Sequence, residues 1–580
     1  MAFSIDRGIL PDEVLLLCGY LRPTPSHAKR LTKILRGEPA PRSWKRFCVY
    51  KQDADQIAEI VWNHRRRRIL CSTKQRKGGP TQTQGITVLG QVDVPRRVEC
   101  TLSLGPKFSL PLTPQSPEAL EMVRKVANHA PSGQQDACIR EGVLAIKRLT
   151  GPAVKRQGLR HVEDFCKQAD AKLVTSDKEG GFVVISTPIY LQKSREAVMK
   201  NFRETEESVE RDGFTKALCI CDTGQLDHLR RSIKKAERRH LKIFFTAKTH
   251  KDGTPFRAIV SERGTWQKSV ALFLQRHLNS LELRDPFLIS DSLQLVRFLR
   301  EGKANGFQMM SVDVEDLFYS VPHSGLFQAV EHKIAQKGIV AFQNATGVSC
   351  DMFMQLLKIY LSSTVIKDQG KCYVQKSGIC IGSSVAPVLC DIFLSGCDQK
   401  IASALEEDFD FHVFRYVDDF LIFYKQRSED GLPLVDPASV IIRKFKDSSA
   451  GLSFTYELPS EGVIQFLDIG IHMCGSSVNW EYRPRTKKAV LPYSSAHSKV
   501  VKRSVALSCL KSALEKSCDH LIEPSFHRQI DRLREAKHPE RVLAELAFGL
   551  LCRADLREKK RKQDFLGKAG QASVCPWALT

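Results

Sequence analysis

Between Phe411 and Tyr424, two runs of aromatic and β-branched residues flank the adjacent acids Asp418 and Asp419. Apolar runs of this length read as strands buried on both faces. A two-residue polar break between them reads as a tight hairpin turn made by the two acids. Carboxylates held between buried strands are costly to ionise unless something neutralises them, and a pair of divalent cations would do so. An isolated Asp-Asp more often marks an exposed bend, so the reading depends on the rest of the chain.

The chain has 580 residues, 42% of them hydrophobic, enough for a large core and two to four domains. Lys and Arg number 88 against 65 Asp and Glu, a net charge of +23. Such a surplus points to a polyanionic partner, with a nucleic-acid backbone as the default and a merely solvated basic surface as the bland alternative. The 18 cysteines follow no secreted spacing, no signal peptide is evident, and no apolar run approaches a membrane span. These features fit an intracellular protein with reduced thiols.

Taken in order, residues 1 to 150 read as a basic and mainly helical N-terminal region, with Pro117–Arg148 as its last helical stretch. Arg65, Arg66, Arg67 and Arg68 stand beside Trp62. Four arginines suit phosphate contact, a nuclear-targeting signal or a solvated surface. Lys172–Ile185 reads as strand, turn, strand, with Gly180-Gly181 supplying the φ > 0 positions. Charged helices are expected around Ala197–Arg211 and Gln225–Arg239. Leu241–Ser261 follows as a hairpin about Lys251-Asp-Gly-Thr-Pro255, with Lys248 and Arg257 beside the turn. A cationic hairpin suits phosphate, because an arginine fork matches its oxygens.

Gly306–Pro322 is a buried-type strand that runs into Asp313, with Phe318 five residues on. Lys376–Pro387 is a glycine-bearing loop, and the helix after it carries an apolar stripe at Val385, Val388, Leu389, Ile392 and Phe393. Gly462–His472 and Ser477–Tyr482 read as a further strand pair. Lys499–Leu551 reads as amphipathic helices broken near Glu523-Pro524 and His538-Pro539.

An acid at a strand end, a glycine loop opening a helix, and a paired-acid hairpin form an ordered series. If the two strands are neighbours, Asp313 and Asp418 can share a pair of metals for phosphoryl transfer to a 3′-hydroxyl. The motifs are Ala247-Lys-Thr-His-Lys251, Phe256-Arg-Ala-Ile-Val-Ser261, Asp313-Val-Glu-Asp-Leu-Phe-Tyr-Ser-Val-Pro322, Gly378-Ile-Cys-Ile-Gly-Ser-Ser-Val-Ala-Pro387, Tyr416-Val-Asp-Asp419, Phe466-Leu-Asp468 and Ser494-Ser-Ala-His497. In that order they resemble the reverse transcriptases of Penelope-like retroelements, whose polymerase is similar to that of telomerase.

The resemblance implies an α/β (α+β) right-hand polymerase fold: fingers at 151–305, palm with primer-grip strands at 306–482 and a helical thumb at 483–551. The basic region 1–150 precedes it and a basic tail, 552–580, follows. It makes Asp313, Asp418 and Asp419 the catalytic acids and, with the backbone carbonyl of Val314, the ligands of two Mg²⁺ ions, for which Mn²⁺ could substitute. Lys248 and Arg257 fall on the triphosphate, and Gly378, Gly382 and Tyr416 beside the nucleotide. Phe318 falls under the sugar, where a bulky ring excludes a 2′-hydroxyl and selects dNTPs. Lys502 and Arg503, with Arg65–Arg68, are expected on nucleic acid.

The implied partners are an RNA template, a DNA primer or target and dNTPs, with no membrane and with the nucleus as the site of integration. Oligomeric state is not indicated. No GIY-YIG endonuclease, common after the thumb in relatives, is found. Ser384, Ala247 and Ala258 stand where prolines are frequent in the family. Two other readings remain: an RNA-templated RNA polymerase, which shares the acid motifs, and a degenerate element copy that only binds RNA.

Overall fold

In the computed structural model, residues 86–110, 116–131, 133–149, 159–427, 436–449, 451–484 and 490–551 are described. The four-arginine run and the C-terminal tail lie outside them. The chain divides into two units, Met1–Gln82 and Thr83–Thr580; everything below concerns the second.

Gln308–Val314 is the strand on which the second unit is built. It lies in a four-stranded sheet in the order Phe409–Tyr416, Asp419–Gln426, Gln308–Val314, Phe454–Glu457, antiparallel throughout. Successive side chains of a strand point to opposite faces, and here both faces are covered. Met310, Val312, Phe420 and Ile422 join one core with Leu389 of helix Ala386–Glu406 and Ile441 of helix Pro437–Ser448. Met309, Leu421 and Phe423 join another with Leu295 of helix Ser292–Arg300 and with Ile464, Phe466, Ile469 and Ile471. Burial on both sides is why these strands read as unbroken apolar runs rather than as alternation.

Those last four residues belong to a separate three-stranded meander, Val463–Phe466, Ile469–Cys474 and Ser477–Tyr482. Upstream, a five-stranded sheet has the order Thr87–Leu89, Phe182–Ser186, Ala171–Ser176, Lys242–Ala247, Phe256–Ser261. The expected hairpins at Lys172–Ile185 and Leu241–Ser261 are both present. Of the glycine pair, only Gly180 takes a positive φ, +73°.

Several helical expectations change. The stretch around Ala197–Arg211 is two helices, Thr187–Asn201 and Glu207–Thr223, separated by the strand Phe202–Thr205. That strand pairs with Lys371–Gln375 and buries Phe202 completely, so tertiary pairing overrides the local helical pattern. The cationic helix is shorter than expected, Asp227–Lys234. Pro117–Arg148 is a helical hairpin, Ser116–Ala127 and Gln135–Leu149, broken where Pro131 interrupts the pattern. At the C-terminal end, helices Lys499–Lys516 and Ile522–Glu535 precede a helical stretch over 540–551. Pro524 lies in the first turn of its helix, where a missing N–H costs nothing, and the break falls earlier. No helix among the described residues is long and apolar enough to cross a membrane.

Candidate active site

Asp313 lies one residue from the end of its strand, directly across from Asp419 in the register. Tyr416 pairs with Asp419, so the two-residue turn consists of Val417 and Asp418. The expectation that both acids form the turn is off by one: Asp419 already belongs to the strand. Val417 holds φ at +58°, a left-handed conformation that is unusual for any β-branched residue. The Val314 N–H donates to the Asp418 carbonyl at 3.1 Å and ties the turn to the neighbouring strand. The backbone thus brings three acidic residues to one end of the sheet.

Burial pushes the Asp418 carboxyl up from its ordinary range, and the negative charge of Asp419 adds to the effect. A hydrogen bond from its own backbone, and then the positive charges of Arg257 and Lys178, offset only part of it. Among the described residues, no three His, Cys, Asp or Glu side chains converge to hold a metal by themselves. Mg²⁺ does not require that, because it is usually held by one or two carboxylates together with water and substrate phosphates. The donor set here fits such an ion: hard oxygen ligands across facing strands, one of them, Asp418, disfavoured in its charged form by burial and by Asp419, a penalty that a cation relieves.

Lys248 directly follows the first strand of the cationic hairpin, Lys242–Ala247, and Arg257 lies on the second, facing Thr246 in the register. Lys248 reaches across to Asp316, at 3.4 Å, three residues beyond Asp313. Asp316 also holds Lys200 at 2.5 Å. Burial works to raise the Asp316 carboxyl, but the Lys200 hydrogen bond and the Lys248 charge outweigh it and hold it below the usual range. For Lys248, burial and the neighbouring cations Arg257 and Lys251 win over Asp316 and lower its pKa. Arg257 is braced at 3.1 Å by Asp177, which also accepts from the Thr246 hydroxyl at 3.1 Å.

The glycine loop is held against this region from two sides. Ile379 N–H donates to the Phe318 carbonyl at 2.6 Å, His323 Nε2 to the Gly378 carbonyl at 2.6 Å, and Val260 N–H to the Ile381 carbonyl at 2.9 Å. A Cβ on Gly378, whose φ is +72°, would fall onto the Phe318 carbonyl. One on Gly382, at +100°, would fall onto the Val260 carbonyl. Only glycine allows such approach. Ser384, at a position where the resemblance leads one to expect proline, uses both its N–H and its hydroxyl to donate to buried Glu262, each at 3.1 Å. Proline has no N–H to make that bond.

Of the other expected residues, Tyr416 is exposed beside the turn. Lys502 turns inward, donating to the Tyr493 carbonyl at 2.7 Å and lying over its ring, while Arg503 pairs with Glu545 at 3.0 Å. Arg65–Arg68 lie outside the described residues. The sequence reading missed Asp316 as the partner of Lys248 and Lys200 as a second cation on Asp316. It also missed Arg415, although a cation within an apolar strand was the available signal.

Residues 250–455, from the cationic turn to the last strand of the four-stranded sheet, match the family described as reverse transcriptase (RNA-dependent DNA polymerase). Among solved structures, apo telomerase from Candida tropicalis matches at 13% identity and a TM-score of 0.41, over 74% of this chain and 77% of that one. Telomerase from Candida albicans with a fragment of telomeric RNA matches at 11% identity and 0.44, over 89% and 88%. The Sicinivirus 3Dpol RNA-dependent RNA polymerase matches at 13% and 0.35, over 56% and 71%. No curated protein matches the chain. The mixed α/β architecture is a right-hand polymerase fold, and the chain is a nucleotidyltransferase that carries a reverse transcriptase (RNA-dependent DNA polymerase) domain.

Proposed function

We propose that the chain extends a primer 3′-hydroxyl with dNTPs on an RNA template, with Asp313, Asp418 and Asp419 as its catalytic acids. The observation that carries this reading is the register: Asp419 faces Asp313, and Asp418 sits on a constrained turn hydrogen-bonded to Val314. Asp313 and Asp418, with Asp419 and the Val314 carbonyl, would hold divalent cations, Mg²⁺ by preference. Bound there, such ions lower the pKa of the attacking hydroxyl and stabilise the departing pyrophosphate. Lys248 and Arg257 supply positive charge for the triphosphate, and Asp316 and Asp177 hold them extended beforehand. Phe318, its carbonyl bonded to the Gly378–Gly382 loop, closes the space a ribose 2′-hydroxyl would need. Tyr416, exposed next to the turn, lies beside the nucleotide.

On this reading four strands of the five-stranded sheet belong to the fingers (151–305), with Thr87–Leu89 added to them from the N-terminal region; the four-stranded sheet and the meander belong to the palm (306–482), and the C-terminal helices to the thumb (483–551). Lys502, Arg503 and the Arg65–Arg68 run contribute nucleic-acid affinity. The order of motifs supports a retrotransposon of the Penelope-like type acting in the nucleus.

The test is primer extension on an RNA template with Mg²⁺, offering dNTPs and rNTPs separately. The parent should incorporate dNTPs, and Asp418→Asn should lower the rate by at least about 10²–10³-fold while leaving RNA affinity unchanged. Preferential use of rNTPs, or equal extension by Asp418→Asn, would sink the proposal. RNA binding without any extension would establish the degenerate-copy reading instead.

A further inference from the structure

Arg415 lies in the strand Phe409–Tyr416 with its side chain fully buried. Its guanidinium is gripped by three carboxylates: Asp398 at 2.5 Å on Nε, Asp285 at 2.5 Å on Nη2 and Asp391 at 3.3 Å on Nη1. Asp391 and Asp398 are seven residues apart, on one face of helix Ala386–Glu406. Asp285 is fixed in turn by the N–H groups of Phe287 and Leu288, both at 2.9 Å. The main chain is pinned as well, Arg415 N–H to the Phe287 carbonyl at 2.7 Å and Ile289 N–H to the Arg415 carbonyl at 2.9 Å.

A cluster of this kind is a poor stabiliser, because desolvating its charges offsets the attraction among them. Besides lying over the Phe420 ring, the guanidinium makes a specific hydrogen bond outside the acids. Nη1 also donates to the carbonyl of Val417 at 3.2 Å. Val417 is the residue held at φ +58°, and its carbonyl belongs to the peptide that leads into Asp418. A turn with a β-branched residue at positive φ persists only where its surroundings over-determine it.

We infer that Arg415 is a positioning residue: clamped by Asp285, Asp391 and Asp398, its guanidinium holds the Val417 carbonyl and thereby fixes where the Asp418 carboxylate points. The planar fork is what the task requires. A lysine ammonium is a single point that cannot span Asp398, Asp285 and the turn together. The inference rests on the assignment of Asp418 proposed above.

The experiment compares full-length parent, Arg415→Lys and Ile401→Ala. Ile401 is an apolar residue buried on the same helix, three residues past Asp398 and with no polar group to offer the cluster, so its truncation serves as a destabilised control. Three quantities are read: the single-turnover extension rate of the folded fraction, the KM for dNTP, and hydrogen exchange across residues 416–419. Arg415→Lys should slow extension by about 10–100-fold, since misplacing a reacting group by an ångström costs on that order. Its KM should stay within about threefold of the parent, and exchange should quicken at the turn. Ile401→Ala should keep all three at parent values, however far its melting point falls.

A rate for Arg415→Lys that equals the parent's once corrected for folded fraction, or turn exchange no faster than in Ile401→Ala, overturns the inference. Should Arg415→Lys fail to fold, Asp391→Asn replaces it, at the half-exposed edge of the cluster; it should show the same pattern more weakly, and a parent-like rate and exchange would again overturn it. If the parent extends no primer, the proposed function fails and the exchange comparison alone decides this one.

Discussion

Replacing Gly382 by alanine puts a magnitude on how closely the glycine loop is fitted. Its φ is +100°, and the added Cβ would fall onto the Val260 carbonyl, a main-chain atom. Val260 cannot easily retreat: it pairs with Ile243 in the sheet, and its N–H is bonded to Ile381 at 2.9 Å. The left-handed backbone alone costs an L-residue about 1–2 kcal/mol. Overpacking against a fixed neighbour adds about 1–3 kcal/mol, for a total of roughly 2–5 kcal/mol. Gly396 is the matched control, lying inside helix Ala386–Glu406 with nothing within 4 Å of its would-be Cβ. Alanine there should stabilise by about 0.5–1 kcal/mol. Denaturant unfolding of the full-length chain, followed by circular dichroism, should therefore move the two variants in opposite directions. Because Arg257 shares the strand of Val260, Gly382→Ala should also raise the KM for dNTP. A midpoint for Gly382→Ala at or above the parent's would refute the reasoning, as would a shift of both variants in the same direction.

Two other outcomes follow from the site. Phe318→Ala should raise the use of rNTPs relative to dNTPs by on the order of tenfold or more, read as the ratio of kcat/KM values; an unchanged ratio would remove Phe318 from the role of sugar gate. Asp316 supplies a pH dependence: its folded-state pKa is lowered, so its contribution to stability is present above the unfolded carboxylate value and disappears as pH falls through the folded one. Asp316→Asn should flatten that acid limb in a series of melting curves, and a limb as steep as the parent's would show that Lys200 and Lys248 gain nothing from the pairing.

The strands were legible in the sequence because both faces of the central sheet are buried, leaving unbroken apolar runs around Asp313 and Asp418-Asp419. Where the turn falls was less legible. The polarity of the two acids suggests that they form the bend, but the backbone places the bend at Val417-Asp418, with Asp419 facing Asp313. Nothing local in a Tyr-Val-Asp-Asp string indicates that valine will take a positive φ. The strand Phe202–Thr205 was hidden for a similar reason: its partner lies about 170 residues downstream, and local composition favours a helix. Lys200 and Asp316 are unremarkable as single charges, and their meaning comes from the fold that brings them to 2.5 Å. Arg415 could have been suspected, since a cation in a buried strand must find partners. Its acids, at 285, 391 and 398, could not have been named.

Two hairpins in this fold share a turn of the same kind, and the difference between them separates an acid kept for structure from one available to a ligand. In one, Val417 at φ +58° precedes Asp418; in the other, Leu467 at +51° precedes Asp468, with Phe466 and Ile469 closing the pair. Both place a bulky apolar residue in a strained conformation and an aspartate after it. Asp468 is answered from within the protein: Lys516 of the C-terminal helix reaches it at 2.5 Å and Ser292 donates to it at 2.6 Å. Its charge is thereby used to join the meander to helix Ser292–Arg300 and to helix Lys499–Lys516. Asp418 has no ion pair of that sort among the described residues; burial and Asp419 push its carboxyl upward, and a hydrogen bond from its own backbone with the charges of Arg257 and Lys178 offsets only part of that. A carboxylate that a fold both strains into place and leaves electrostatically unfavourable is stabilised most by a cation brought from outside. The same turn therefore serves as a joint at Asp468 and, on the proposed reading, would serve as a metal-binding position at Asp418; what distinguishes them is whether the fold supplies a lysine.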